Sequence, residues 1–181
     1  LLNRTKLNNQ LMAIEEGLCP YDVRRGRLDW IDDEKTIKAL TRCKDTKEKT
    51  KIRVKNGSKL KWVDDEYGVI QKIADPINHD DMDHKPDIAG TDSYDEEIKA
   101  ESGSEGATVV FRTYAGPSRE FNLPIAVLAE RGDSSNDDTF YENNVKIAIY
   151  YNLQLLVEYS KIAIINYIID VGGEHLLKER P

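Results

Sequence analysis

Two acidic residues, Asp92 and Glu158, each stand at the end of a short run that favours extended structure. Asp92 closes the run DIAGTD, and Glu158 directly follows the apolar residues 155–157. Carboxylates at matching heights on adjacent parallel strands can hold divalent cations that are ~3.5–4 Å apart, because neighbouring strands are separated by ~4.8 Å. The two residues therefore predict a site for divalent metal ions.

The two carboxylates differ in how strongly the sequence favours a binding role. Glu158 follows an apolar run, where a buried carboxylate is costly to desolvate unless a cation or hydrogen bonds compensate it. A glutamate that ends its strand and reaches water is the alternative. Asp92 lies in a Thr-Asp-Ser sequence, which often begins a turn without any binding function.

Other acidic residues could act as metal ligands, but most have a simpler explanation. Asp95 is three residues beyond the first carboxylate and could bind a metal through water, although its acidic neighbours also fit a solvated loop. Asp170 ends a predicted helix and is expected to face solvent. Glu142 forms a T-x-x-E capping box with Thr139, which explains it without catalysis. The run HDDMDH at 79–84 has no known metal-site spacing and favours a solvated loop.

The elements that would position the pair follow in the order β, β, β, α, β, α from about Lys85 onward. A helix crossover after three antiparallel strands would bring the fourth strand back beside the first. This order is the opening portion of the RNase H-like fold, an α/β fold with a mixed sheet. Strands are expected in DIAGTD, ATVVFRT, FNLPIAVLAER and NLQLLVEY, and helices from Thr139 to about Tyr151 and in KIAIINYIID, capped by Ser160 and ended by Gly172-Gly173.

The residues before this core predict a helix and a basic, β-rich extension. Residues 5–18 have apolar side chains at the spacing of an amphipathic helix. Asn56-Gly57 lies between two runs that favour strands and predicts a hairpin, and GVIQKI at 68–73 predicts a further strand. The expected organisation is an N-terminal helix (1–28), a basic β-rich extension (29–84) and the core (85–181).

The charge of the chain is unevenly distributed. Its net charge of −7 argues against nucleic-acid binding, but residues 1–75 hold 17 Lys and Arg against 13 Asp and Glu. Residues 76–181 hold 9 Lys and Arg against 20 Asp and Glu. This excess of acidic residues suits a cation site, although a solvated acidic surface is the simpler explanation. Basic residues of the extension could contact a DNA backbone or protect an edge strand, namely Lys51, Arg53, Lys55, Lys59 and Lys61.

Composition excludes several other classes of protein. No apolar run approaches the ~18 residues that would suggest a membrane span. Cys19 and Cys43 have no CxxC partner, so neither a zinc cluster nor a disulfide framework is predicted.

Several segments resemble one family in their order and spacing. PDIAGTDSYDEE, GSEGATVVFR, DTFYENNVKIAIYYN and LLVEYSKIAIINYII are similar to the C-terminal nuclease domain of the large terminase subunit of tailed bacteriophages. KLNNQLMAIEEG and GVIQKIADP resemble the segments that join the ATPase motor to that nuclease. The resemblance implies that residues 1–28 are a linker helix from a preceding motor domain and that C-terminal elements of the core are missing. The resemblance spans nearly the whole chain.

The resemblance implies an RNase H-like endonuclease that cuts concatemeric double-stranded DNA with two Mg or Mn ions. Asp92 and Glu158 would hold ions that activate water and steady the leaving 3′ oxygen. In the family a third acidic residue on a later helix completes the site. Only 23 residues follow Glu158, so we expect a fragment of a longer protein with a partial site.

The resemblance also implies partners and a location. The partners are double-stranded DNA, the packaging ATPase domain of the same parent chain, the portal and the small terminase subunit, and no membrane is involved. The location is the cytoplasm of the infected bacterial host. Two alternatives stay open: a non-catalytic docking or DNA-binding module of the packaging motor, and another RNase H-like nuclease such as a junction resolvase.

Overall fold

A computed structural model of the chain describes residues 23–31, 41–44, 50–53, 59–76, 87–93, 105–112, 123–131, 138–158 and 160–178. Within these ranges the strands are β1 (Arg24–Trp30), β2 (Thr41–Lys44), β3 (Thr50–Arg53), β4 (Leu60–Asp64), β5 (Ile70–Lys72), β6 (Asp87–Asp92), β7 (Glu105–Arg112), β8 (Leu123–Arg131) and β9 (Gln154–Val157). The helices are α1 (Asp138–Tyr150) and α2 (Ile162–Asp170), followed by a short 3₁₀ helix at Glu174–Leu176.

Seven of these strands form one mixed sheet in the order β4-β1-β5-β8-β7-β6-β9, and β2 pairs with β3 separately. Neighbours in the large sheet are antiparallel, except that β6 and β9 are parallel. The fourth strand of the predicted core thus lies beside the first, as the order of elements predicted. The chain is an α/β protein with a mixed sheet.

One face of the large sheet is covered by helix α1, and helix α2 packs against α1. Side chains alternate across a strand, so every second residue faces this helical layer. In β6, Ala89 and Thr91 are buried while Gly90 and Asp92 are exposed. The core lies between this face and the helices, and its largest fully buried side chains include Phe140, Tyr141, Ile147, Tyr151 and Leu155.

Both helices end with a residue in the left-handed conformation. Gly172, with φ of 81°, follows α2 as predicted, and the amide of Gly173 donates to the carbonyl of Ile168 at 2.8 Å. Asn152, with φ of 49°, ends α1 in the same way. Glycine and asparagine tolerate this conformation best, so the sequence places both helix ends. Within the described residues, no helix is both long and apolar enough to cross a membrane.

The hairpin predicted at Asn56-Gly57 is not formed. The strands on either side of Asn56-Gly57 do not pair with each other, because β3 pairs with β2 and β4 pairs with β1. Trp62 of β4 lies opposite Leu28 of β1 and packs against the core, and this burial outweighs the local turn pattern.

Ser160 does not occupy the N-cap position of α2. Lys161 does, without a side-chain capping hydrogen bond. The amide of Lys161 donates to the carbonyl of Glu158 at 3.0 Å, so the chain turns immediately after β9. Helix α2 then begins at the position that lets Ile164 and Ile168 enter the core.

The large sheet joins segments on both sides of the proposed domain boundaries. Strand β1 runs through the boundary at 28/29, and β5 pairs with β8 across the boundary at 84/85. The division into linker helix, extension and core stays a prediction. The predicted helix at 5–18 and the HDDMDH run lie outside the described residues.

Candidate functional site

Asp92 and Glu158 come directly after a matched pair of residues in two adjacent strands. Thr91 of β6 and Val157 of β9 are partners in the parallel ladder, so the next residue of each strand stands at the same end of the sheet. Neighbouring strands lie ~4.8 Å apart, which is within the reach of two carboxylates that share a cation. The predicted pairing of the two strands is therefore present.

Both carboxylates also belong to the same face of the sheet, the one opposite helix α1. Along β9, Leu155 and Val157 are buried while Leu156 and Glu158 are exposed. Asp92 is exposed on β6 as well. We call the surface that Asp92 and Glu158 share the open face. Because both side chains reach water, a cation at this site would not need to compensate a deeply buried charge.

A buried group of polar side chains holds β6 from the opposite face. The hydroxyls of Thr91 and Thr108 both donate to Oδ1 of Asn144, at 3.1 Å and 2.6 Å. The amide nitrogen of Asn144 donates to the carbonyl of Phe140 at 2.9 Å. All of these bonds lie inside the core, where they fix the height of β6 against β7 and α1. The residue next to Thr91 is Asp92, so the group also fixes that carboxylate along its strand.

A second group of polar side chains joins α1 to strands β1 and β8. Glu142 accepts hydrogen bonds from the indole of Trp30 at 3.2 Å and from Lys146 at 2.9 Å. Asn143 donates to Glu130 at 3.0 Å. Burial raises the pKa of Glu130, although the Asn143 hydrogen bond and the nearby Lys146 act in the opposite direction. Glu142 thus joins α1 to β1. The predicted capping box is not formed, because Thr139 lies within the first turn of α1 and not at its N-cap.

The opposite end of β6 is held by a buried ion pair. Nε of Arg112 donates to Oδ1 of Asp87 at 3.1 Å, and its Nη2 reaches Oδ2 at 3.3 Å. The side chain of Asp87 is fully buried. Arg112 also donates to the carbonyl of Asp75 at 2.9 Å, and Tyr151 donates to that of Ala74. The segment after β5 is therefore fastened to the core.

The other predicted site residues are described to different extents. Asp95 and Lys55 lie outside the described residues, and Lys51 and Arg53 belong to β3, for which the structure describes the backbone alone. Lys59 and Lys61 are exposed next to and within β4. Asp170 is exposed at the end of α2.

The carboxylate pair suits a hard divalent cation. Mg²⁺ is usually bound by one or two carboxylates, with water or phosphate oxygens completing its coordination. Across the described part of the chain, no cluster of three or more Asp, Glu, His or Cys side chains could hold a metal. As far as the structure describes this end of the sheet, the pair therefore offers a cation two carboxylates and no third acidic ligand.

Asn144 is the residue that sequence reasoning missed. It follows Tyr141 by three positions and precedes Ala148 by four, so it lies on the apolar stripe that predicted helix α1. A polar residue on such a stripe signals a buried hydrogen-bond partner, but the sequence does not show which one.

Comparisons of the chain with protein-family models, with curated proteins and with solved structures gave no match.

Proposed function

We propose that the chain carries part of the catalytic site of a metal-dependent endodeoxyribonuclease with an RNase H-like fold. The observation that carries this proposal is the register of β6 and β9, which brings Asp92 and Glu158 to the same end and the same face of the sheet. Two oxygen ligands on neighbouring parallel strands suit the site of a two-metal nuclease. The parent protein that fits best is the large terminase subunit of a tailed bacteriophage.

In this function Asp92 and Glu158 hold Mg²⁺ or Mn²⁺, and Asp95 adds a ligand through water. Bound ions of this kind activate water and stabilise the leaving oxygen of a phosphodiester. Thr91, Thr108 and Asn144 position the end of β6 and touch no substrate. The substrate is double-stranded DNA, and the ATPase domain of the parent chain, the portal and the small terminase subunit are the proposed partners.

Binding of Mn²⁺ tests the site directly, even where the chain does not cut DNA. We expect electron paramagnetic resonance to detect Mn²⁺ bound to the wild-type chain, and expect Asp92→Asn and Glu158→Gln each to weaken binding. The loss should be at least about 10- to 100-fold, the effect of removing an outer-shell partner of a metal ligand. Glu174→Gln is the matched control, because Glu174 is an exposed carboxylate on the 3₁₀ helix.

Thermal unfolding gives a second readout of the same site. A ligand that binds only the folded chain raises its stability, so Mn²⁺ should raise the Tm of the wild type and of Glu174→Gln. It should leave the Tm of the two site variants nearly unchanged. Equal Mn²⁺ binding by all four proteins would exclude the site. Mn²⁺ binding without cleavage of plasmid, even by the longer parent chain, would instead favour a docking or DNA-binding module.

A further inference from the structure

A second charged surface lies at the far side of the open face, on strands β1 and β4. Lys59 and Lys61 are exposed, and Lys61 lies opposite Asp29 of β1. Among the described residues, neither lysine forms an ion pair. Arg27, by contrast, is held by Asp29 and Asp65. The two lysines are therefore charges that this part of the fold does not use.

The hydrogen-bond register shows that these lysines share a face with the carboxylate pair. One row of partners crosses six strands of the sheet. Partners in a ladder point to the same side, and every second residue of a strand returns to that side. Asp92 and Glu158 lie two residues beyond this row and therefore on the same side of the sheet. Lys61 lies on that side as well, because its partner Asp29 is four residues beyond Arg25. The row consists of Arg25, Gln71, Val127, Val109, Gly90 and Leu156.

The lysines also lie at the same end of the sheet as the carboxylates. Strands β6, β8 and β1 run in one direction, and β4 runs in the other, so β4 begins where β6 ends. Asp92 lies two residues beyond Gly90 toward this end of the sheet. Lys61 lies further along, because its partner Asp29 is four residues beyond Arg25. Two residues of a strand span ~6.6 Å, so the positions of Asp92 and Lys61 along the strand direction differ by only about that length.

A basic ribbon leaves the sheet at this same point. The chain departs after Trp30 and returns at Leu60, and the amide of Ile31 donates to the carbonyl of Lys59 at 3.0 Å, which holds the two ends together. Between them, the paired strands β2 and β3 contain four Lys or Arg and no Asp or Glu in their eight residues. The sequence of the ribbon is therefore basic.

We infer that Lys59 and Lys61 form a phosphate-binding arm for double-stranded DNA, and that the duplex lies across this end of the sheet toward Asp92 and Glu158. Five strand spacings separate β4 from β6, or ~24 Å, which corresponds to about seven base pairs of duplex. Duplex DNA is the occupant that fits, because its charge repeats every ~1.7 Å along the axis and so can contact both lysines while the same duplex reaches the carboxylates. This inference deepens the proposed nuclease function and rests on it for what happens at the carboxylate end.

Binding of a fluorescent 30-base-pair duplex in EDTA tests the arm without any metal or cleavage. We expect the double variant Lys59→Ala/Lys61→Ala to weaken binding and to reduce the slope of log K against log salt by about 2, roughly one unit for each lost phosphate contact. Lys178→Ala is the control, because Lys178 is exposed beside β9 at the other edge of the sheet. Circular dichroism checks that each variant is folded.

Three outcomes would overturn the arm. The double variant could keep the wild-type slope; Lys178→Ala could reduce the slope by the same amount; or polyglutamate could compete as well as DNA at equal charge. Lysines that only shield the edge strand β4 give the first of these outcomes together with self-association of the double variant in light scattering.

The arm and the nuclease can fail separately. Loss of DNA binding in the lysine variant, with Mn²⁺ binding independent of Asp92 and Glu158, would leave the arm and remove the nuclease. Loss of Mn²⁺ binding in the carboxylate variants, with unchanged DNA binding in the lysine variant, would do the reverse.

Discussion

Thr108 donates a 2.6 Å hydrogen bond to Asn144, and both side chains are completely buried. The same oxygen of Asn144 accepts from Thr91, so one amide joins β6, β7 and α1. In a low-dielectric interior such bonds are strong, and losing the shared acceptor is costly. The position of Asp92 along β6 therefore depends on a residue that lies on the other face of the sheet.

Replacing Asn144 should destabilise the fold. Asn144→Ala removes the acceptor that the hydroxyls of Thr91 and Thr108 share. Thr108 can still donate to Thr91, at 3.2 Å, so we expect the free energy of unfolding to fall by about 1–3 kcal/mol for the hydroxyl of Thr91 that stays unsatisfied. Urea unfolding measures this change. The triple variant Asn144→Leu/Thr91→Val/Thr108→Val removes donors and acceptor together and should recover much of the loss. No recovery would show that packing, rather than hydrogen bonding, is what Asn144 contributes.

Removing the buried partner of Arg112 should have a larger effect. The side chain of Asp87 is fully buried and that of Arg112 is only 19% exposed. Asp87→Ala therefore leaves the guanidinium of Arg112 at the edge of the core without its carboxylate partner. We expect a loss of about 3–5 kcal/mol in unfolding free energy, the usual cost of breaking a buried ion pair. Asp64→Ala is the comparison, since its pair with Arg24 is exposed and should contribute far less. Equal losses in urea unfolding would contradict this difference.

Two glycines of the sheet should respond oppositely to alanine. A Cβ at Gly106 would lie 2.7 Å from the ring of Phe140, and overpacking of this kind costs about 1–3 kcal/mol. A Cβ at Gly90 would meet nothing within 4 Å, so Gly90→Ala should be neutral or stabilising. Thermal unfolding of both variants tests this, and Phe140→Leu in the Gly106→Ala background should restore part of the loss. A Gly106→Ala chain as stable as the wild type would rule the contact out.

The stability of the fold should depend on pH through Glu130. Burial raises the pKa of this carboxyl in the folded chain, so the folded state binds the proton more tightly than the unfolded state does. Stability from this group is present below its unfolded pKa and is lost as the pH rises through the folded value. Glu130→Gln keeps an oxygen that can accept from Asn143 and removes the titration.

We expect Glu130→Gln to be at least as stable as the wild type at pH 7 and to lose this advantage near pH 4. Urea unfolding at several pH values measures the difference. An advantage that grows as the pH falls would show that the hydrogen bond and the charge of Lys146, rather than burial, decide the protonation of Glu130.

The core strands could be predicted from the sequence because their patterns leave few alternatives. The run DIAGTD became β6 with both of its ends as expected, and the apolar run before Glu158 became β9. Once three antiparallel strands are followed by a helix, the fourth strand has an open position beside the first. The pairing of Asp92 with Glu158 follows from that constraint and not from any local motif.

The rest depended on tertiary contacts that no local pattern encodes. Lys72 is an example, because the strand that contains it was predicted but its burial was not. Its ammonium group lies 2.5 Å from Asp75 and 4.7 Å from the ring centre of Trp62. Trp62 in turn belongs to β4, whose partner β1 replaced the predicted hairpin. Side chains that meet across separate segments decide such pairings, and their spacing along the chain is uninformative.

Strand β8 is paired on both sides, with β7 from the core and with β5 from the preceding segment. A polypeptide shortened to residues 85–181 would lose β5, β1 and β4 together. The long strand β8 would then form the margin of the sheet, with the backbone groups on one side unpaired. Such a margin is a template on which other copies of the chain add strands, so the shortened polypeptide would tend to aggregate. Expression boundaries for this protein therefore belong before Arg24.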